Sequence, residues 1–474
     1  MADILSVGID IGTSTTQVIF SRIAMENTGS YFSVPRVSIV DKEVVYKSPV
    51  YVTPLKTPVL IDGAAVREIV AREYQAAGYT QQDVDTGAVI ITGESARKEN
   101  AAEVLAQLSD FAGEFVVSTA GPDLESIIAG KGSGAYQYSM DNICSTVNLD
   151  IGGGTTNIVM FHDGEVVAKG CLDIGGRLIR VTDELTVESI SPAAQLIADA
   201  VGVSLAVGQC TSYQALDAIT DKMADLLAQA LGVLPQEPLL WKIQTPESSW
   251  FAPAGRIKAI CFSGGVADCI GAQEDGVPYG DIGTLLGRSI YHGALYRALP
   301  TITGSETIRA TVVGAGTYTT SISGSTIDYA QGLLPMKNIP VLRLNSAEQA
   351  ACFAGDASAL RKQIAWFMEQ NSSDLIALAM KGDPDPDYAA VLRLADVLSS
   401  VMDAALSPGQ PLIVMLECDI AKVLGMAMRE KMGEKRKIIC IDSVKVEQGD
   451  FVDLGKPVLD GQVIPLVVKT LLFG

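Results

Sequence analysis

The chain has 474 residues, with 35 Lys plus Arg against 55 Asp plus Glu and a formal net charge of −20. This acidic balance leaves no basic field for a polyanion, so it argues against nucleic-acid binding and against attachment to anionic lipid. Apolar residues make up 48% and charged residues 19%, which indicates folded α/β layers, and at roughly 150 residues per domain the length suggests about three domains.

The start of the chain and its apolar windows predict neither export nor a membrane span. Residues 1–4 carry no cationic segment, so we expect no signal peptide. The most apolar window, 193–207, is interrupted by polar residues and is shorter than the roughly 20 residues of a spanning helix. The 8 cysteines show no metal-ligand spacing, so we expect reduced thiols and a cytoplasmic protein.

In chain order, the predicted elements form three units. The first opens with a hairpin around a glycine turn and has the order β-β-β-α-β-α-β-α. From residue 146 the β-rich pattern restarts, so the second unit repeats the first, with a helical insertion at about 183–255. Beyond Pro300 strands and helices alternate again. The predicted domains are residues 1–135, 136–299 and 300–474.

The first glycine turn has features of a phosphate site. Asp10 ends an apolar strand, and Gly12-Thr13-Ser14-Thr15 follows it. Gly12 allows close approach of the backbone, consecutive N–H groups can point at phosphate oxygens, and Thr13 adds a hydroxyl donor. Taken alone, this turn is equally compatible with a plain hairpin, because Asp and Gly are common turn residues.

A second copy of this turn favours a phosphate site over a plain hairpin. Asp150, Gly152-Gly153-Gly154 and Thr155 repeat the arrangement 140 residues later. If the two turns face each other, they clamp the β- and γ-phosphates of a nucleotide, with Asp10 and Asp150 aimed at the gap. Two carboxylates that close repel each other unless a divalent cation lies between them, so Mg²⁺ is implied, held mainly through its waters.

A third turn follows another apolar strand. Gly264 and Gly265 lack side chains at consecutive positions and predict a flat backbone surface for an adenosine, with Val266 beside it. Asp10 and Asp150 are the predicted catalytic and metal-binding residues. The predicted nucleotide-binding residues are Gly12, Thr13, Ser14, Thr15, Gly152, Gly153, Gly154, Thr155, Gly264, Gly265 and Val266.

Two other glycine-rich segments are weaker candidates for a nucleotide site. The segment 130–133 resembles a Walker loop, but Lys131 is followed by Gly, so we interpret it as a helix C-terminus. The segment 314–316 lacks the third glycine of a dinucleotide-binding fingerprint, and we interpret it as a turn.

At the three turns the chain resembles the actin/DnaK/sugar-kinase ATPase superfamily. Residues 10–16 match its first phosphate motif, 150–156 its second and 263–267 its adenosine motif. The resemblance extends to 121–130 and 283–293, which match the first and second connecting helices. It implies an α/β fold of duplicated ribonuclease-H-like, actin-type ATPase lobes that bind ATP and Mg²⁺, here with an additional C-terminal α/β domain as a candidate for partner binding.

Over its whole length, including 89–96 and the tail at 449–469, the sequence is similar to the ethanolamine ammonia-lyase reactivating factors of bacterial ethanolamine utilisation. The resemblance implies a cytoplasmic ATPase chaperone, associated with the ethanolamine-utilisation microcompartment, whose partner is ethanolamine ammonia-lyase. It implies release of damaged cobalamin from the lyase, so that intact adenosylcobalamin binds. The sequence has no Asp-x-His-x-x-Gly cobalamin-ligand motif, and a homodimer is left open.

One position departs from the superfamily pattern. DnaK-type chaperones place Glu, and actin places Gln, just before the first connecting helix, where this chain has Gly121. The residue that orients the attacking water is therefore open between Glu94 and Glu125, and a solvated helix carboxylate is the alternative for each. We expect slow hydrolysis.

Two other functions of the same fold stay open. A small-molecule kinase would need a substrate hydroxyl and a base in the cleft, which the sequence does not identify. An actin-like assembly protein would bind nucleotide chiefly in order to polymerise. ADP release stimulated by a small alcohol would favour the kinase, and light scattering that rises with ATP would favour assembly.

Overall fold

The fold is given by a computed structural model. It describes residues 2–27, 37–57, 60–92, 95, 98–108, 111, 117–119, 121–246, 248–272, 276–318, 320–323, 327–371, 375–383, 385–448, 450–457, 461 and 463–470.

The strands in this part of the chain are β1 (Ala2–Ile11), β2 (Thr15–Asn27), β3 (Val37–Lys47), β4 (Tyr51–Val52), β5 (Leu55–Thr57), β6 (Leu60–Ile61), β7 (Thr86–Ile91), β8 (Val117–Thr119), β9 (Ser145–Ile151), β10 (Thr156–His162), β11 (Glu165–Leu172), β12 (Ile179–Val181), β13 (Val187–Ile190), β14 (Ala259–Ser263), β15 (Thr320–Ile322), β16 (Asp328–Tyr329), β17 (Met336–Arg343), β18 (Ala377–Met380), β19 (Leu412–Leu416), β20 (Ile438–Ile441), β21 (Asp450–Leu454) and β22 (Pro465–Thr470).

The α-helices are α1 (Gly63–Ala77), α2 (Ala101–Leu108), α3 (Pro122–Gly132), α4 (Ala135–Asp141), α5 (Pro192–Ala200), α6 (Tyr213–Ala230), α7 (Pro238–Lys242), α8 (Gly283–His292), α9 (Ala294–Ala298), α10 (Ala310–Tyr318), α11 (Ser346–Phe353), α12 (Ser358–Asn371), α13 (Tyr388–Ala405) and α14 (Ala421–Met432).

The first lobe is a sheet of the order β3-β2-β1-β7-β8, with β4 paired to β2. β1, β2 and β3 are antiparallel, whereas β7 and β8 run parallel to β1. β7 is buried along its whole length, as expected for a strand inside a parallel pairing. α1 covers the sheet with an apolar face, begins at the N-cap Asp62 and ends at Gly78, whose φ of +77° favours glycine.

The second lobe repeats this arrangement with a sheet of the order β11-β10-β9-β14. β9, β10 and β11 are antiparallel, and β14 runs parallel to β9. α6 packs against α8, and Leu216, Ile219 and Met223 of α6 are fully buried in the core of this lobe. The two antiparallel triplets, each followed by parallel strands, confirm the predicted duplicated, ribonuclease-H-like fold.

α3 and α10 cross between the lobes at unusually short range. α3 packs on β9, β10 and β11, and α10 packs on α3 and on β1 of the first lobe. A Cβ at Gly132 would lie 1.8 Å from the Ala310 carbonyl oxygen, and one at Gly314 would lie 2.0 Å from that of Ile128. Only glycine allows this contact of two helix backbones.

This crossing corrects two expectations. The segment 314–316 lies inside α10 and is not a turn, because its glycines serve helix packing on Gly8 and on α3. The segment 283–293, expected to be the second connecting helix, forms α8 and packs on α6 within the second lobe. The helix that returns to the first lobe is α10. The segment 130–133 closes α3, as predicted.

The C-terminal region is a further α/β unit. Its sheet has the order β15-β22-β21-β17-β18-β19-β20-β16, and β17 to β20 are parallel. Helices α11 to α14 bury one face of these strands, and β21 and β22 belong to the core on the other face. The predicted additional α/β domain is thereby confirmed as a fold element. In the part of the chain that the structure describes, no helix is long and apolar enough to span a bilayer.

Candidate functional site

Two hairpin loops of the same geometry form the site. In loop 1 (residues 12–15) the Gly12 N–H donates to the Thr15 carbonyl oxygen at 2.8 Å, and in loop 2 (residues 152–155) the Gly152 N–H donates to the Thr155 carbonyl oxygen at 2.9 Å. The strand registers are also equivalent, since Asp10 lies opposite Gln17 and Asp150 lies opposite Asn157. The repeat seen in the sequence is therefore a repeat of backbone structure.

The loops face each other across one cleft. A Cβ on Gly153 would lie 2.6 Å from Ser14 Oγ, so the loop tips touch. Ser14 Oγ is buried and has no hydrogen-bond partner among the described residues, which is expected of a donor that faces a ligand. All predicted site residues except Val266 line this cleft.

Loop 1 is held by side chains from other parts of the first lobe. Thr53 follows β4; its N–H donates to the Ser14 carbonyl oxygen at 3.0 Å, and its Oγ1 donates to that of Gly12 at 2.8 Å. Ser95 Oγ also donates to the Gly12 carbonyl oxygen, at 3.0 Å. These hydrogen bonds to its carbonyl groups fix the course of the loop backbone.

Loop 2 is held by backbone groups. The Gly176 N–H donates to the Gly152 carbonyl oxygen at 3.0 Å, and the Arg177 N–H donates to that of Gly153 at 2.7 Å. A Cβ on Gly175 would lie 2.5 Å from the Gly153 carbonyl oxygen. Glycine at position 175, in the turn that follows β11, is thus a steric requirement of loop 2.

Asp10 is a buried carboxylate with a shifted pKa. Its side chain is 7% exposed, and Thr92 Oγ1 donates to its Oδ1 at 3.0 Å. Burial raises its pKa from 3.8 to about 7; the Thr92 hydrogen bond lowers the pKa, and the charge of Asp150 raises it. The charge of Asp150 acts on Asp10 because both carboxylates line the same cleft.

Asp150 is equally buried, at 6% exposure, but has more donors. Ser263 Oγ donates to its Oδ1 at 2.6 Å, and Thr311 Oγ1 lies 3.5 Å from its Oδ2. Burial raises its pKa from 3.8 to about 6, against hydrogen bonds from Ser263, Thr311 and Asn157 that lower it. Three side-chain hydrogen bonds therefore act against the burial of Asp150, where Asp10 has the one from Thr92.

The donor set fits a divalent cation. Asp10, Asp150 and Glu125 are the acids of the described cleft lining, and no Lys or Arg stands among its described residues. Carboxylate and hydroxyl oxygens are ligands that Mg²⁺ accepts, together with its own waters. Asp10 and Asp150 would hold the ion, and its charge would offset the burial that raises both pKa values.

The third turn lies beside loop 2. Gly264 has φ +85°, and a Cβ there would lie 2.3 Å from the Ile151 carbonyl oxygen, so the backbone must pass close to β9. A Cβ on Gly265 would meet only Ile308, at 3.9 Å, which leaves its face open to the cleft. Val266 is 3% exposed and packs in the core of the second lobe.

The structure adds residues to the cleft that the motifs did not contain: Gln17, Thr92, Glu125, Ile308 and Thr311. Gln17 lies two residues after loop 1. The sequence carried a signal for it, since an amide residue, Gln17 or Asn157, follows each aspartate at the same spacing. Thr92 and Thr311 come from distant segments and gave no such signal. Glu125 is 8% exposed and is not a solvated helix carboxylate. Glu94, the other candidate, lies outside the described residues.

Comparisons with known proteins give a consistent result. A family model described as "Ethanolamine utilisation protein EutA" matches residues 2–474. Two curated proteins called "Ethanolamine ammonia-lyase reactivase EutA", from Salmonella typhimurium and Escherichia coli, are each 36% identical over 474 residues, covering 99% of this chain and 98% of theirs.

A solved structure of the ethanolamine utilization protein EutJ from Carboxydothermus hydrogenoformans aligns at 14% identity and a TM-score of 0.33, covering 67% of this chain and 90% of that one. This likeness is too distant to support a statement about the chain.

Proposed function

The chain belongs to the family of ethanolamine utilisation protein EutA, and on that premise we propose that it is an ATP-dependent reactivating chaperone of ethanolamine ammonia-lyase. In this role it acts in the cytoplasm, in association with the ethanolamine-utilisation microcompartment, and releases damaged cobalamin so that intact adenosylcobalamin can bind to the lyase. The observation that carries the proposal is the pair of opposed loops whose tips meet at Ser14 and Gly153.

In this proposal the cleft binds the phosphates of ATP. The side-chain-free backbone at Gly152, Gly153 and Gly154 allows close approach, and backbone N–H groups of both loops donate to phosphate oxygens. Gly264 and Gly265 lie beside loop 2 as the surface for adenosine. Bound Mg²⁺ would neutralise charge on the phosphate oxygens.

Glu125 is the proposed acceptor of the proton from the attacking water. It lies in the first turn of α3 and lines the cleft. The oxygen of water forms a bond to the γ-phosphorus, the bond to the ADP oxygen breaks, and the proton passes to the Glu125 carboxylate. Hydrolysis is slow, because no cationic side chain among the described cleft residues stabilises the charge that develops.

Nucleotide acts on the partner through the shape of the molecule. The lobes meet at the glycine-mediated crossing of α3 and α10, so closure on ATP changes their relative orientation. ATP shifts the population toward the closed shape only by its differential affinity for the two shapes. The same shift then changes the affinity for the lyase.

A reactivation assay tests this function. Ethanolamine ammonia-lyase blocked with an unreactive cobalamin is incubated with ATP, Mg²⁺ and adenosylcobalamin, with this protein or with its Asp150→Asn variant. We expect deamination to recover with the unchanged protein only. No recovery would remove the reactivase function, and ADP release that depends on a small alcohol would favour a kinase.

A further inference from the structure

The first turn of α3 contains two buried acids with different surroundings. Asp123 is 4% exposed and Glu125 is 8% exposed. Glu125 lines the cleft, whereas Asp123 points to a neighbouring loop of the second lobe. The N-cap residue of α3 is Gly121, which provides no side-chain cap. An uncapped first turn frays easily unless another contact holds it.

Asp123 makes that contact. Its Oδ1 accepts the Ser249 N–H at 2.9 Å, and its Oδ2 accepts the Ser249 hydroxyl at 2.5 Å. Lys169 Nζ on β11 lies 3.2 Å from the same Oδ2. Both oxygens of a buried carboxylate are thus engaged in charge-assisted hydrogen bonds, which are stronger than neutral ones. All three donor groups belong to the second lobe.

The segment that donates these bonds is itself fixed to β11. Thr245 Oγ1 donates to Asp173 Oδ1 at 2.6 Å, and the Thr245 N–H donates to the Cys171 carbonyl oxygen at 3.1 Å. Phe251 lies over Gly170, where a Cβ would approach Phe251 Cβ to 2.7 Å. These contacts hold the segment 245–251, described except for residue 247, against the end of β11, and we call this segment the strap.

The strap carries Trp250, one ring of a stacked indole pair whose other ring, Trp241, lies on α7. Trp250, adjacent to Ser249, stacks on Trp241 with ring centroids 5.8 Å apart and planes at 16°. Trp241 is 49% exposed. A change at Asp123 therefore reaches a stacked aromatic pair through one peptide unit.

We infer that Asp123 is a positioning residue, which holds Glu125 against the cleft through Ser249 and Lys169 and links the cleft to the Trp241 and Trp250 rings. The inference rests on the proposed ATP hydrolysis. Glu125 shares the turn of Asp123, so loss of the strap lets the Glu125 carboxylate leave the position for the attacking water. Nucleotide binding itself depends on the loops, which Asp123 does not contact.

Steady-state kinetics gives the first test. Asp123→Ala should lower kcat for ATP hydrolysis roughly 10- to 100-fold, with the Kd for ATP changed less than about twofold because loops 1 and 2 are untouched. Asp123→Asn keeps an acceptor for Ser249 and should restore part of kcat. Asp387→Ala removes the acidic N-cap of α13 in the C-terminal region and is the matched control, with kcat unchanged.

Tryptophan fluorescence gives the second. Trp366→Phe removes the third tryptophan of the chain, so the emission reports Trp241 and Trp250. In this parent protein ATP with Mg²⁺ should change the emission, and Asp123→Ala should abolish the change while calorimetry still shows ATP binding. An unchanged kcat or an unchanged emission response in Asp123→Ala would overturn the inference. A parent protein that binds ATP without hydrolysing it would instead contradict the proposed function.

Discussion

Loop 1 and loop 2 have the same internal turn but are held in different ways. In loop 1, side-chain hydroxyl groups of Thr53 and Ser95 satisfy the Gly12 carbonyl oxygen, and the Thr53 backbone N–H satisfies that of Ser14. Backbone N–H groups of Gly176 and Arg177 satisfy those of loop 2. The comparison teaches that four residues fix the turn, whereas the surrounding lobe decides how firmly the turn is held.

The two aspartates also differ in the hydrogen-bond donors that surround their carboxylates. Asp10 has the Thr92 hydroxyl as a donor, and its pKa is raised to about 7. Asp150 has Ser263 and Thr311, and its pKa is raised to about 6. The carboxylate of the second lobe therefore has more hydrogen-bond donors around it than the carboxylate of the first lobe.

The largest effect is expected from removal of the carboxylate charges. Asp150→Asn and Asp10→Asn should each lower ATP hydrolysis by about 100-fold or more, because each variant removes one of the two carboxylates that would hold the cation. At about pH 8 both variants should also raise the Tm of the nucleotide-free protein, since each removes a buried charge. Hydrolysis within twofold of the unchanged protein would contradict the assignment.

The next effect compares the contacts that hold loop 1 with those that hold loop 2, which we call the loop 1 brace and the loop 2 brace. Gly175→Ala places a Cβ against the Gly153 carbonyl oxygen, and overpacking of about 1–3 kcal/mol should weaken ATP binding roughly 5- to 150-fold. Thr53→Val removes the hydroxyl that donates to the Gly12 carbonyl oxygen of loop 1. This change should weaken ATP binding by about 1 kcal/mol, or roughly fivefold. Calorimetric Kd values measure both, and Thr53→Ser is the control. Equal losses in the two variants would show that the braces do not differ.

The pH dependence follows from the raised pKa values. In the metal-free protein Asp10 and Asp150 bind protons up to about pH 7 and 6, so protons compete with Mg²⁺ below these values. The apparent affinity for Mg²⁺ with ATP should rise from about pH 5 to 8, most steeply near the pKa of Asp10. Asp10→Asn should remove the step near pH 7, and a step that persists would contradict this assignment.

The same shifts set the sign for stability. Between about pH 4 and 7 Asp10 and Asp150 bind more protons in the native metal-free protein than in the unfolded chain, so their contribution to the free energy of unfolding should fall as the pH rises through this range. Saturating Mg²⁺ with nucleotide should flatten the curve. Denaturant titration at several pH values measures this.

The smallest effect concerns the support behind the loop 1 brace. Tyr51 begins β4, which leads directly into Thr53. The Tyr51 hydroxyl donates to the buried Glu73 at 2.5 Å. Tyr51→Phe should lower the free energy of unfolding by about 1 kcal/mol and weaken ATP binding by less than about twofold. Tyr46→Phe removes the other hydroxyl bound to Glu73 and is the control, with ATP binding unchanged. A larger loss of ATP affinity in Tyr46→Phe would contradict this role of β4.

The duplicated turns could be predicted because local chemistry decides them. An apolar strand, an aspartate, a glycine and hydroxyl residues specify one hairpin loop, and the repeat at Asp150 doubled the information. The contacts that hold loop 1 could not be predicted, since Thr53 and Ser95 reach it from separate segments. Glu125 was named as a candidate, but only the structure places it in the cleft.

The segment 314–316 shows why one prediction failed. Glycine is a common turn residue, but here it lies in a helix because α10 must approach α3 and β1 closely. A requirement of tertiary packing therefore overrides local propensity. Val266 has a similar explanation, because the turn at Gly264 directs its side chain into the core. The boundaries of all three predicted domains stay predictions.

Calorimetric titration with ATP tests the central claim most directly. The account predicts saturable binding of one nucleotide per chain in the presence of Mg²⁺, lost in chelator and lost in the variant that combines Asp10→Asn with Asp150→Asn. Binding that is indifferent to Mg²⁺ and to both aspartates, or no binding of ATP in saturating Mg²⁺, would contradict it.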